Sequence, residues 1–426
     1  MDKQEFPIKI DPACALKWSW STVILRNART MSCHRVKVNE LDIDTFYDFH
    51  NTPEKIKDRE LMLQGQWPND RGCQYCKNIE ESGGVSDRMM MNNIPNLYTN
   101  DVVDDQTKTN VMPSILEVYF DNVCNMACTY CLDGLSSKIE HENNKYGKFE
   151  SDGVVIENTG VKLDNSLEIK KEFWRWMNDN SSCLKRFHFL GGEPFFQKDF
   201  DDVIEFFITH PNPNLEFNIV SNLSINPEKF KAYIDRIKKL KDNDCIKRFD
   251  LTASIDCWNE AQVYARHGLN LEWFEENMEY LLTHDEWLRI NIHHTISALT
   301  VKDMPDLYVK INKWREQKNI YTYMCLISLI SPHCEYQHPN IFKYETWKQS
   351  FEDVLVLMNQ AKDKAENVWD FDNEINALKG IMSTLGNIDE NNFELISKMD
   401  TYLTELDRRR NTNWKQTFPH LAKYVV

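Results

Sequence analysis

The sequence predicts an α/β fold built on parallel strands, and a repeating pattern along the chain is what predicts it. Short apolar runs recur from Ile115 onward: ILEVYF (115–120), FHFL (187–190), LEFNIV (215–220), FDLTASI (249–255), INIHHTI (290–296) and YTYMCLISLI (321–330). Their length and their β-branched and aromatic content read as buried strands. Between them, Ile169, Phe173, Trp176 and Met177 share one helical face, and Phe230, Tyr233, Ile234 and Ile237 repeat that face after an Asn226-Pro227 helix start. Strand, helix and strand thus alternate. Alternation of this kind demands right-handed crossovers between parallel strands, in an open doubly wound sheet or a full or partial barrel, with active groups at the strands' C-terminal ends.

Residues 1 to about 110 hold four cysteines and little helical periodicity, and the polar stretch NDVVDDQTKTN (Asn100–Asn110) separates them from the rest of the chain. Residues beyond about 340 read as mostly helical. The expected organisation is an amino-terminal cysteine domain (1–110), an α/β unit (111–338) and a helical carboxyl-terminal extension (339–426).

Charge narrows the function classes. Against 66 Asp and Glu stand 50 Lys and Arg, a net charge of -16 over 426 residues, which opposes non-specific binding to phosphate backbones and anionic membranes. A nucleic-acid polymer is therefore not an expected partner. The first twenty residues carry no uninterrupted apolar run and no later stretch has the length of a membrane span, so neither a signal peptide nor an anchor is expected and the location reads as cytoplasmic. Twelve cysteines are too sparse for a disulfide scaffold of this size, which leaves metal or redox chemistry as their leading use.

Cys124, Cys128 and Cys131 come directly after the first predicted strand, in the spacing Cys-x3-Cys-x2-Cys. Three thiolates on one tight loop leave one iron of a four-iron cluster open to a small molecule, whereas a structural zinc ion would borrow a fourth ligand from elsewhere. With Tyr130 just before the last cysteine, the motif resembles the signature of the radical S-adenosylmethionine (radical SAM) superfamily. The resemblance implies a partial TIM-type barrel, (β/α)6, a catalytic 4Fe-4S cluster on the three cysteines, and SAM chelated by the open iron, with Tyr130 near its adenine. It also implies reductive cleavage of SAM and hydrogen abstraction from a substrate.

A second motif, Gly191-Gly192-Glu193-Pro194, ends the predicted strand FHFL and resembles that superfamily's GGEP element. Glycine permits close backbone approach to the methionyl part of SAM, and the Glu193 carboxylate can accept from its amino group. By the same resemblance Ser254 and Arg266 are expected at the SAM carboxylate, and Ser221 and Asn222 at a strand end beside the cofactor. Cys257, after Asp256 at another strand end, is the candidate hydrogen donor to a substrate radical, or a ligand to a second cluster.

Cys14, Cys33, Cys73 and Cys76 supply four further thiolates, enough to close either a tetrahedral zinc site or a fully ligated 4Fe-4S cluster. The pattern resembles a Twitch domain, the short relative of the SPASM domain, in which a hairpin and a CxxC loop hold an auxiliary cluster. Here the hairpin is KWSWSTVILRNARTMSC. The order departs from most of that family, since these cysteines precede the radical SAM motif. Similar Twitch-containing sequences, frequent among bacteriophages, share the order and also the pattern of Glu80, Gly83-Gly84 and Ser86-Asp-Arg88. A fully ligated cluster suits electron transfer, which favours oxidation or crosslinking of a peptide or small molecule.

Cys183, Cys245, Cys325 and Cys334 read as buried small hydrophobes, and one of His293 and His294 should face inward from its strand. HCEYQH (333–338) reads as a loop, and the Lys-rich stretch YIDRIKKLKDNDCIKR as a solvated face or a dock for an acidic electron donor such as flavodoxin or ferredoxin. The competing class is a non-catalytic zinc or iron-sulfur protein that acts as a binding module.

Overall fold

The computed structural model describes residues 11–92, 109–284, 287–327, 332–364 and 369–425. Its strands are β1 (Trp20–Ile24), β2 (Arg29–Met31), β3 (Asn39–Glu40), β4 (Ile115–Tyr119), β5 (Ala127–Cys128), β6 (Phe149–Ser151), β7 (Val154–Ile156), β8 (Arg186–Leu190), β9 (Asn212–Ser221), β10 (Ile246–Ser254), β11 (Arg266–His267), β12 (Leu288–Ile296) and β13 (Tyr321–Leu326). Nine of them form one sheet in the order β13-β12-β10-β9-β8-β4-β1-β2-β3. From β4 to β13 every neighbouring pair in that sheet is parallel. The six apolar runs are these six strands, the last ending at Leu326, while positions 328–330 of its run lie outside the described residues.

Crossover helices bury the faces the sequence marks. Helix Ser166–Asn180 encloses Ile169, Phe173, Trp176 and Met177, and helix Pro227–Asp242 encloses Phe230, Ile234 and Ile237 with Tyr233 half-buried. The core is rich in aromatic contacts: Phe120 stacks on Phe189 at 4.5 Å between centroids and meets Phe173 edge-on at 5.3 Å. Helices Lys348–Lys364, Trp369–Leu385 and Phe393–Arg410 come after the last strand.

The amino-terminal segment shares this sheet. β1 pairs in parallel with β4, Thr22 opposite Glu117, and returns through an antiparallel hairpin to β2. Val23, Leu25, Phe46 and Phe49 belong to the same core as the crossover helices. Of the polar stretch Asn100–Asn110, positions 100–108 lie outside the described residues. Two helices follow, Pro53–Leu63 and Arg71–Glu81, and the first lacks apolar periodicity for a physical reason: it turns Lys55, Arg59 and Met62 inward, so two of its buried positions are basic side chains. Lys55 Nζ is satisfied by Ser21 Oγ (3.0 Å), Thr30 Oγ1 (2.7 Å) and the Phe49 carbonyl (2.8 Å).

The Lys-rich stretch on helix Pro227–Asp242 and beyond is largely neutralised locally: Lys238 pairs with Asp242, Lys241 with Asp244, Arg236 with Asp201 and Glu205, and Arg248 with Asp250. The exposed pairs among these add little stability, yet together they remove free charge from the face an acidic partner would need. Among the described residues no helix is long and apolar enough to cross a membrane.

Candidate functional site

Because the six strands β4 to β13 run in parallel, their C-terminal ends share one rim. The loop leaving β4 carries Cys124, Cys128 and Cys131, and its path is fixed by side chains bonding to its own backbone. Asn122 donates to the Asp133 carbonyl (2.8 Å), Ser136 Oγ donates to the Met126 carbonyl (2.6 Å), and Ser137 Oγ accepts from the Cys124 amide (3.1 Å). β5, within the loop, pairs with β11, which sets Cys128 opposite Arg266. From the far end of the chain, Gln337 Nε2 (3.1 Å) and the Tyr402 hydroxyl (2.6 Å) both donate to the Thr129 carbonyl. HCEYQH, expected as a loop, begins in a helical turn, Pro332–Glu335, that brings His333 Nε2 within 3.3 Å of the Tyr130 carbonyl.

All three cysteines are partly exposed. Burial pushes all three up, and neighbouring thiols add to the rise at Cys124 and at Cys131, which reaches about 12, so a three-thiolate state calls for a compensating cation. Among the described residues no three His, Cys, Asp or Glu side chains converge as a single-ion site requires. A four-iron cluster bonds each thiolate to a different iron, and this donor set, three soft sulfurs on one loop, fits that group.

Gly191 and Gly192 both occupy the left-handed region, at φ +88° and +52°. A Cβ on Gly192 would lie 2.1 Å from the Val123 carbonyl oxygen, and the Glu193 amide donates to that same oxygen at 2.8 Å. Gly192 thus lets the Gly-Gly-Glu-Pro segment lie directly on the backbone preceding Cys124, whereas the motif alone suggested close approach to a ligand. Pro194 stands at the start of the short helical turn Pro194–Phe196.

Glu193 is enclosed at the ends of β8 and β9. Its carboxylate accepts from Ser221 Oγ (2.8 Å) and the Asn222 amide (2.7 Å), and Asn222 in turn donates to Asn125 Oδ1 (2.9 Å) on the cysteine loop. Burial outweighs these bonds and pushes the carboxyl up to about 7. A glutamate raised from 4.5 to about 7 by folding favours the protonated folded state, so stability falls as pH rises through that interval, by up to about 3 kcal/mol. Urea unfolding of the metal-free protein should therefore show wild type losing stability between pH 5 and 8 relative to Glu193→Gln, and parallel curves would contradict this.

Asp256, just beyond β10, is fully buried and gathers the next part of the rim. Arg266 binds it bidentately, Nε to Oδ2 at 2.9 Å and Nη2 to Oδ1 at 2.8 Å; the Tyr130 hydroxyl donates to Oδ2 (2.6 Å) and the Thr295 amide to Oδ1 (2.9 Å). Burial opposes the Asp256 charge, but the Arg266 guanidinium and these donors hold its carboxyl below the usual range. Arg266, expected at a ligand carboxylate, clasps the protein's own, with its guanidinium 5.6 Å from the Tyr130 ring centroid. Ser254 lies opposite His293 on the neighbouring strand. Asp256, Gln337 and Tyr402 are additions to the site; an acid next to a strand end was the one sequence signal available, and it pointed to Asp256 alone.

Cys257 is corrected by its surroundings. It is fully buried in the core, its thiol 3.6 Å from Gln262 Oε1, so no substrate reaches it in this structure. Cys325, expected to be buried, is exposed, while Cys245 and Cys334 are buried and Cys183 partly so. His293 faces the open side of β12, and His294 faces the helices, its Nε2 3.1 Å from the Tyr308 hydroxyl.

The amino-terminal cysteines also gather. Cys14 and Cys73 share a small core with Leu16, Trp18, Met62 and Ile115, and Cys33 packs against it. Cys73 and Cys76 sit one turn apart on helix Arg71–Glu81, where a loop was expected; Asp70 caps that helix through the Gly72 amide (2.7 Å). Arg88 joins the Glu80 carboxylate to the Ala13 carbonyl (3.0 Å), and Ser86 also donates to Glu80, tying this helix to the residue before Cys14. Burial and nearby thiols push Cys14 up to about 11, and the buried Lys17 ammonium, 2.6 Å from Asp58, opposes the rise.

No family model matches the chain, and no curated protein matches it. Several solved structures resemble it distantly, among them the three that follow. Streptococcus suis SuiB bound to precursor peptide SuiA is 11% identical over 82% of this chain and 70% of that one, with a TM-score of 0.39. Native anSMEcpe with bound AdoMet is 19% identical over 67% and 65%, with a TM-score of 0.34. TYW1 with a lysine-pyruvate adduct bound is 14% identical over 61% and 76%, with a TM-score of 0.30.

Proposed function

We propose that this chain is a radical SAM enzyme with an amino-terminal Twitch-like domain, and that it oxidises or crosslinks a peptide or small molecule. One observation carries the reading: the Cys-x3-Cys-x2-Cys loop leaves the first of six parallel strands and is seated, through Gly192, on the Gly-Gly-Glu-Pro segment that ends the next. The parallel strands support a partial (β/α)6 barrel in residues 111–338. Cys124, Cys128 and Cys131 would hold the catalytic cluster. A four-iron cluster with one open iron supplies, when bound, the reductive cleavage of SAM that yields a hydrogen-abstracting carbon radical.

The chain's own groups do the positioning. Glu193, oriented by Ser221 and Asn222, would be the acceptor for the SAM amino group. Tyr130, fixed through its hydroxyl to Asp256, keeps its ring at the cysteine loop. Cys14, Cys33, Cys73 and Cys76 would hold a second centre, an auxiliary cluster that would supply an electron acceptor, and a flavodoxin or ferredoxin would be the electron donor.

The test is to incubate anaerobically reconstituted protein with SAM and dithionite and to assay 5'-deoxyadenosine. Wild type should form it and Cys128→Ala should not, with a loss of at least about 100-fold, since losing one of three cluster ligands removes the centre. No product from wild type, as a non-catalytic metalloprotein requires, or equal product from the variant, would overturn the reading. For the auxiliary centre, Cys73→Ala with Cys76→Ala should remove about half the iron and leave SAM cleavage measurable; unchanged iron would contradict it.

A further inference from the structure

Among the twelve cysteines, all within the described residues, Cys325 is the one that is exposed. It is the penultimate residue of β13, so it stands at the same rim as the cysteine loop. Alternation along the strands fixes its direction. His294 and Thr322 are buried on the helix side, so the residues between them, His293 on β12 and Tyr323 and Cys325 on β13, occupy the open face. On that face Cys325 Sγ lies 3.3 Å from His293 Nε2. Ser254 lies opposite His293, and Tyr323, exposed, lies on the other side of it.

We infer that Cys325, paired with His293, is a hydrogen-atom donor to carbon-centred radicals formed at this rim. The inference rests on the radical reading above. Its sulfur meets the requirement that Cys257 fails, access from the open face. The protonation state agrees: partial enclosure by the rim pushes the thiol up and the His293 imidazole down, which favours a neutral thiol beside a neutral imidazole. Nucleophilic attack needs a thiolate, whereas atom transfer needs the intact S–H bond, which is weaker than an ordinary C–H bond. In the tautomer protonated at Nδ1, Nε2 accepts from the thiol and holds it in register with the face.

In the transfer the S–H bond breaks homolytically, its hydrogen atom forms a C–H bond with the carbon radical, and sulfur remains as a thiyl radical. One electron from an external low-potential reductant of the iron-sulfur or flavin class and one proton from water, passed through His293, restore the thiol.

SAM itself is a sufficient probe, because in the absence of substrate the radical from its cleavage takes a hydrogen atom from the donors within its reach, those of the protein among them. The reconstituted chain in deuterium oxide, given SAM and dithionite, should form 5'-deoxyadenosine of which most carries one solvent deuteron, since the thiol hydrogen exchanges. In Cys325→Ala and in Cys325→Ser, whose hydroxyl is a poor atom donor, the labelled fraction of whatever product forms should fall at least fivefold. Product without deuterium from wild type, or an unchanged labelled fraction in either variant, overturns the assignment alone. No product from wild type sinks the radical reading and this inference with it. A second readout needs no cofactor: iodoacetamide applied to the metal-free protein should alkylate Cys325 at least tenfold faster than Cys257, and protection of Cys325 would show that it does not face the open side.

Discussion

Arg266→Met should destabilise the metal-free protein by about 3–5 kcal/mol, the usual cost of leaving one member of a buried pair without its partner. Asp256 would keep its contacts to Tyr130 and Thr295 but lose the guanidinium that holds its charge, inside a site where it is fully buried. The loss reaches further than the pair. Tyr130 on the cysteine loop bonds to the same carboxylate, so the uncompensated charge is left directly beside that loop, while the backbone pairing of β11 with β5 remains. Denaturant unfolding reads the effect. The double variant with Asp256→Asn should recover much of it, because the uncompensated charge is then absent. A loss under about 1 kcal/mol for Arg266→Met would mean that the pair behaves as a solvated one.

Gly192→Ala should cost about 2–5 kcal/mol, combining the strain of a left-handed alanine with forced displacement of packed backbone. The added methyl has no flexible neighbour to push aside, since the atom 2.1 Å away is the main-chain oxygen of Val123. Relief requires the Gly-Gly-Glu-Pro segment and the cysteine loop to separate, breaking the Glu193 amide bond to Val123. Iron bound after reconstitution should fall together with stability. The same change at Gly380, where a Cβ meets nothing within 4 Å, serves as the contrast: Gly380→Ala, in mid-helix, should be neutral or stabilising. Equal effects at Gly192 and Gly380 would contradict the packing argument.

The strands were legible as short apolar runs, because burial fills them with β-branched and aromatic residues, and the crossover helices as one-faced elements of a single period. Helix Pro53–Leu63 was not, because basic side chains fill two of its buried positions: Lys55 and Arg59 read as surface residues until the hydroxyls and carbonyls that satisfy them are seen. Within the site, the cysteine loop and Gly191 to Pro194 were legible as local motifs, and the structure places them in contact. Partners distant in the chain were invisible. Tyr402 reaches the Thr129 carbonyl across 273 positions, and no spacing rule relates the two. Cys257 and Cys325 show the limit most plainly. Both are cysteines near strand ends, and only the fold reveals that one closes onto Gln262 while the other meets His293 on the open face.

The most direct test of the proposed chemistry is the amount of iron, acid-labile sulfide and zinc per chain, measured on protein purified and reconstituted without oxygen. Two four-iron centres predict about eight iron with matching sulfide, falling to about four in Cys128→Ala with the amino-terminal centre intact. Zinc without labile sulfide, at either set of cysteines in place of iron, would contradict the corresponding centre, and at Cys124, Cys128 and Cys131 it would end the radical reading.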